Sequence, residues 1–200
     1  MARKPMLFFA KTPPPSQPSD ADTAQRIAAG DRVALADLYA REAPRVYRYA
    51  LAMSGSEAIA ADVTQDTFMA FAHKPGGYDP VKGALQGYLM GVARHHVLAT
   101  LRQTHDPLDT VADEPVDADD PDSVLIAKTT HAQLMAAIAQ LPVVFREALI
   151  LVELREMSYA QAAALAGIEL NTLRTRLHRA KKRLAELLGA HHAIPAKSTS

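Results

Sequence analysis

Residues 103–127 hold eight acids and three prolines, and no lysine or arginine at all. A stretch of that composition cannot bury enough apolar surface to offset the entropy of ordering it, so it reads as a flexible acidic linker. It divides the 200 residues into two blocks, 23–102 and 128–189, each with helical periodicity and few strand-like alternations. Blocks of roughly 60–80 residues are close to the smallest that fold unaided. The expectation is an all-α protein of two small helical domains, an N-terminal bundle and a C-terminal helix-turn-helix domain. A Pro-rich lead-in, 1–22, is expected to be disordered, and 190–200 reads as a tail.

The apolar content of 48% is enough for a core, and the absence of cysteine excludes disulfides, thiolate metal sites and cysteine nucleophiles. The start, MARKPMLFFAKTPPP, carries an apolar run from Met6 to Ala10 that is too short for a signal-peptide core. No stretch approaches the roughly 18–20 apolar residues of a membrane span. A soluble cytoplasmic protein is expected.

Net charge is zero, with 22 Lys+Arg against 22 Asp+Glu, yet the charges are segregated. The segment NTLRTRLHRAKKRL, residues 171–184, carries seven Lys, Arg or His and no acid. On a helical projection Leu173, Leu177, Ala180, Leu184, Leu187 and Leu188 fall within about 50° of one direction. Asn171, Thr175, His178 and Lys182 point the opposite way, flanked by Arg174 and Arg179. Arg176, Lys181 and Arg183 lie at the apolar border, where their stems can rest on the core. Upstream, Ser158 with Gln161 forms a capping box, and Gly167 is placed to end that first helix. A short capped helix, a glycine turn and a basic amphipathic helix make a helix-turn-helix, whose second helix enters the DNA major groove. A solvated basic face with macrodipole complementation explains Lys181 to Arg183, but not cations along the whole helix.

In the N-terminal block, Leu35, Leu38, Tyr39, Val46, Tyr47, Ala50 and Leu51 recur at helical spacing, and Pro44 predicts a break or kink. In SEAIAADVTQDTFMAFAHKP, Ala61, Phe68 and Phe71 share a predicted core face, while Asp62, Gln65 and Asp66 project from a neighbouring strip. Such a strip could dock a basic partner, although a solvated face is the commoner meaning. After Pro75-Gly76-Gly77 a helix restarts, mixing Tyr78 and Tyr88 with Lys82, Arg94, His95, His96 and Arg102. Aromatics among cations suit unstacked bases, but on these residues alone a core tyrosine with ordinary surface charge is the better reading.

Together these motifs resemble the extracytoplasmic-function (ECF) sigma factors, two-domain initiation subunits of bacterial RNA polymerase within the sigma-70 superfamily. The matching residues are LY at 38–39, PRVYRYAL at 44–51, ADVTQDTF at 61–68, YDPVKG at 78–83 and YLMGVAR at 88–94. LP at 141–142, REALIL at 146–151, SYAQAAALAGI at 158–168 and NTLRTRLHRAKKRL at 171–184 continue the match. The resemblance implies that residues 23–102 are sigma region 2, binding core polymerase and the −10 element, and that 128–189 are region 4, binding the −35 element. It implies a polymerase surface of Asp62, Gln65, Asp66 and Phe68 for the β′ coiled coil, with the β flap as a further contact. It implies a −10 site of Lys82, Gly83, Ala84, Leu85, Gln86, Tyr88, Arg94 and His95. The −35 reader would comprise Asn171, Thr172, Arg174, Thr175, Arg176, His178, Arg179 and Lys182. Promoter DNA and an anti-sigma protein are the other implied partners, with no cofactor, metal or enzymatic activity.

The sequence departs from the family pattern in several places. Tyr88 stands where Trp is usual, His95 where Asn is usual, and Ala99 where Asp is frequent. Ala162 and Ala166 replace larger aliphatic residues, and Glu169 replaces a better N-cap. Two rivals follow from the same residues. One is a helix-turn-helix regulator that binds DNA independently of polymerase. The other is a metal protein or enzyme built on the histidines, disfavoured because His95-His96 and His191-His192 are adjacent pairs pointing to different helix faces.

Overall fold

The computed structural model describes residues 18–104 and 130–192. The linker predicted over 103–127 therefore lies almost wholly outside the described residues. Among those described there are eight α-helices and no strand. No helix among them is long and apolar enough to cross a membrane.

Helix α1, Asp20–Ala28, begins inside the segment expected to be disordered. Ser19 caps it, its Oγ accepting the Asp22 amide at 3.1 Å, which satisfies one of the donors a helix start leaves open. Helix α2, Arg32–Ser54, starts at an Asp31 cap and ends at Gly55, where φ is +69°. Of the break or kink expected at Pro44, the break does not occur, and the helix runs through it for 23 residues. Pro44 is exposed, so the carbonyl that loses its amide partner can be hydrated while packing on either side holds the helix.

Helix α3 spans Glu57–His73 behind a Ser56 cap. Its buried face is Ala60, Val63, Thr64, Thr67, Phe68 and Phe71. Ala61, expected in the core, is exposed: it lies about 100° round from Ala60, on the edge of the polar strip. The two core threonines donate back to the carbonyls of Ala60 and Val63, each at 2.7 Å, so no polar group is stranded. Helix α4, Leu85–Thr104, completes the bundle and continues two residues into the stretch read as linker.

In the second block, α5, His131–Ala139, starts with a Thr130–Gln133 capping box. Helix α6, Val143–Leu149, passes directly into a π-helical turn over Ile150–Leu154. Helix α7, Tyr159–Ala166, has the predicted Ser158–Gln161 box and ends at Gly167, φ +68°. Helix α8, Leu170–His192, follows and outruns the expected boundary at 189. Leu173, Leu177, Ala180, Leu184 and Leu188 are buried and Leu187 partly so, as the projection of this helix predicts.

The two blocks pack on each other, α2 against α5 and α6, and α4 against α7. At one junction Arg146, 7% exposed, donates to the carbonyls of Met53, Ala139 and Leu141. The first lies near the end of α2 and the others at or just past the end of α5, where unpaired carbonyls carry the negative end of the helix dipole. Burial lowers the pKa of Arg146, and the carbonyls compensate that desolvation. Arg146→Met keeps much of the stem but leaves those carbonyls unpaired. It should lower stability by about 2–4 kcal/mol, measured by urea unfolding of the full chain.

Candidate nucleic-acid and polymerase interface

The second helix of the helix-turn-helix presents its polar side as expected. Asn171, Arg174 and Lys182 are exposed, while Thr172, Thr175, Arg176, His178 and Arg179 are half-buried. At its N-terminal end Thr175 Oγ1 donates to the Asn171 carbonyl at 3.0 Å, and Arg174 reaches Asn171 Oδ1 at 3.5 Å. Two of the border cations are engaged elsewhere. Lys181 pairs with Glu153 at 2.7 Å and Arg183 with Glu186 at 3.2 Å.

On the N-terminal bundle Asp62, Gln65 and Asp66 form an exposed strip along α3. Phe68, grouped with them in the sequence, is only 4% exposed and packs its ring against Tyr39 at 4.8 Å. The exposed apolar flank is instead Tyr39 and Met69. Both follow from folding: Tyr39 comes from another helix, and Met69 is one residue past the core position.

The loop from Tyr78 to Leu85 is rigidly held. Tyr78 donates to the Gly83 carbonyl at 3.0 Å, and Asp79 Oδ1 accepts the Val81 amide at 3.0 Å. Gly83 has φ +144°, which disfavours any side chain there. Beneath the loop, Phe71, Tyr88 and Tyr78 stack edge-to-face with centroids 5.9 and 5.8 Å apart. A side chain at Gly77 would force this packing to shift, since a Cβ there would lie 2.6 Å from the Tyr88 hydroxyl oxygen. Lys82, Gly83, Ala84 and Gln86 are exposed. Leu85 is fully buried, so it anchors the loop rather than offering its side chain to a base. Tyr88 is a half-buried support, and His95 is exposed. Arg94 is turned into the other domain, bonded to Glu147 at 2.6 Å.

Sequence reasoning missed Asp20. Its Oδ2 accepts the Leu85 amide at 2.9 Å, capping α4 from 65 residues away. The Ser19–Asp22 cap signal could have revealed α1, but nothing local predicts that α1 reaches Leu85. Glu147 was also missed, for the same reason of sequence distance.

A helix-turn-helix with a basic second helix beside a helical bundle with an acidic strip and an aromatic-backed loop defines a two-domain DNA-binding protein. The family model "Sigma-70 region 2" matches residues 38–106, and "Sigma-70, region 4" matches 131–184. The chain is 30% identical over 192 residues to the ECF RNA polymerase sigma factor SigE of Mycolicibacterium smegmatis, covering 91% of this chain and 74% of that protein. It is 33% identical over 171 residues to the RNA polymerase sigma factor CarQ of Myxococcus xanthus, covering 82% and 95%. The fold matches the sigma factor RpoE of Bartonella quintana, solved with the anti-sigma factor NepR, at a TM-score of 0.57 and 24% identity. That match covers 74% of this chain and 91% of RpoE. The chain belongs to the sigma-70 family, as an RNA polymerase sigma factor of the ECF type. The region 2 match does not favour the helix-turn-helix regulator that binds DNA independently of polymerase.

Removing the Asp20 carboxylate should loosen the start of α4. Asp20→Ala should cost about 1 kcal/mol locally, as loss of a helix cap does. The check is amide exchange at Leu85, expected to be about fivefold faster, with the α8 amides unchanged.

Proposed function

We propose that this sigma factor works entirely by binding, with its three surfaces used together. Asp62, Gln65 and Asp66 dock on the β′ coiled coil of core polymerase, with Tyr39 and Met69 as apolar neighbours. The α8 face from Asn171 to Lys182 engages the −35 duplex, the first residues meeting base edges and the later cations phosphates. The loop at Lys82 to Gln86, with Arg94 and His95, stabilises the melted −10 strand. Unstacking a base costs a few kcal/mol, which the pocket and the phosphate contacts must offset. The C-terminal domain also contacts the β flap. The reading places the protein in the cytoplasm with its polymerase, and assigns it no reaction chemistry.

The observation that carries this reading is the coexistence of an exposed acidic strip and an exposed basic reader on separate packing units of one chain. RpoE is solved with an anti-sigma factor, which supports an anti-sigma protein as a partner here as well.

Two measurements test the surfaces. Asp62→Ala with Asp66→Ala should abolish association with core polymerase and run-off transcription while leaving the fold intact. Retained association would remove the strip from the interface. Lys182→Ala should weaken holoenzyme binding to promoter DNA and reduce the slope of log K against log salt by about 0.9 for each phosphate that is no longer neutralised. An unchanged slope means that Lys182 does not touch a phosphate.

A further inference from the structure

The loop from Tyr78 to Leu85 has little packed over it. Val81 at its tip is 92% exposed, so no outer layer fixes the loop, and its shape depends on hydrogen bonds from within and beneath. Among the described residues those bonds stay between Pro75 and Tyr88, as from the Lys82 amide to the Asp79 carbonyl at 3.0 Å. The exception is Asp20, whose Oδ2 accepts the Leu85 amide at 2.9 Å.

The chemistry at the start of α4 explains why that contact is needed. Ala84, the residue before α4, has no side-chain oxygen, and alanine is among the poorest residues for capping a helix. The cap that α4 cannot make for itself arrives from α1. Asp20 also stands in the first turn of α1, so one carboxylate serves the positive ends of two helix dipoles. Its other oxygen, Oδ1, lies 3.9 Å from Arg41 of α2. At the far end of the loop, α1 packs on the tight turn Pro75–Gly77. Burial first, and then the charges of Asp20 and Asp79, raise the pKa of Tyr78, so its hydroxyl stays a donor to the Gly83 carbonyl. Asp20 therefore acts on the loop at both ends.

We propose that Asp20 is a positioning residue for −10 recognition, acting through the Leu85 amide and not by contact with DNA. By fixing the Ala84–Leu85 peptide it sets where Ala84 and Gln86 stand, the exposed residues on either side of buried Leu85. It thereby sets how sharply the loop distinguishes one unstacked base from another. The inference rests on reading Lys82 to Gln86 as −10 contacts. Hydrogen bonds to a base edge are lost when the donor moves by about an ångström, whereas attraction to phosphate is not. Selectivity, more than affinity, should carry the effect.

The test is selection by the full chain, assembled with core polymerase, from single-stranded oligonucleotides randomised over the −10 positions. The readout is the ratio of the preferred base to the others at each position. A variant that is merely less stable binds every oligonucleotide less and leaves these ratios unchanged. Asp20→Ala should flatten the ratio at the most selective position about fivefold, the equivalent of one lost helix cap. Asp20→Asn keeps an acceptor oxygen for the Leu85 amide and should stay within about twofold of the unaltered chain. Selection of −35 sequences from randomised duplex should be the same in all three proteins. Unaltered −10 ratios in Asp20→Ala overturn the role, as does a flattening that Asp20→Asn shares in full or that extends to the −35 sequences. Lys82→Ala combined with Gln86→Ala separates this from the reading beneath it. If that double variant keeps the ratios of the unaltered chain, the loop is not the −10 reader. If it flattens them and Asp20→Ala does not, the −10 reading stands and the positioning role alone fails.

Discussion

The desolvation of one guanidinium organises how the two halves of this protein meet. Arg146 is buried where α2 and α5 both end, and it serves the carbonyls that those ends leave open. A buried cation without such partners would cost several kcal/mol. The position of α6, which carries Arg146, is therefore tied to both helix ends at once. Glu147 is the next residue on that helix, so fixing Arg146 also aims a carboxylate at Arg94. One short segment, Arg146-Glu147, thus seats a cation against the N-terminal domain and points an anion at Arg94 of that same domain.

The polar character of this junction has a dynamic meaning. An interface made only of leucines would be held by area alone and would not respond to a charged competitor. Here a large share of the specificity lies in charged hydrogen bonds, those of Arg94 to Glu147 above all. Like charges at Arg155, Arg45 and Arg48 weigh against closure. The packing of the two domains is therefore a balance between a strong local charge pair and a repulsive remainder.

Most of the fold was legible because it is written in local patterns. The leucine stripe of α8, the Ser158–Gln161 box and the turn at Gly167 each depend on residues within a few positions of one another, and each is present. The exposed strip at Asp62, Gln65 and Asp66 was equally legible, being set by helical spacing. What failed was whatever depended on a neighbour from elsewhere. Ala61 was assigned to the wrong face because small alanines lie on every side of α3 and carry little directional signal. Pro44 promised a break or a kink, and the helix continues through it without the break. Phe68 and Leu85 were counted among contact residues by motif, yet each is buried against side chains or backbone that the motif does not contain. Arg94 could be read as a DNA-facing cation but not as the partner of Glu147, 53 residues away.

The dependence of α4 on Asp20 bears on where this protein ends as a folding unit. Composition changes at about residue 23, and that is where a truncation designed from the sequence would be cut. Such a cut removes Ser19 and Asp20, taking with them the cap of α1 and the acceptor for the Leu85 amide. The shortened chain would keep the acidic strip of α3 and the basic face of α8, and lose only the brace beneath the loop from Tyr78 to Leu85. Its defect would be easily misread as weak promoter preference, when its origin is a boundary drawn four residues too late.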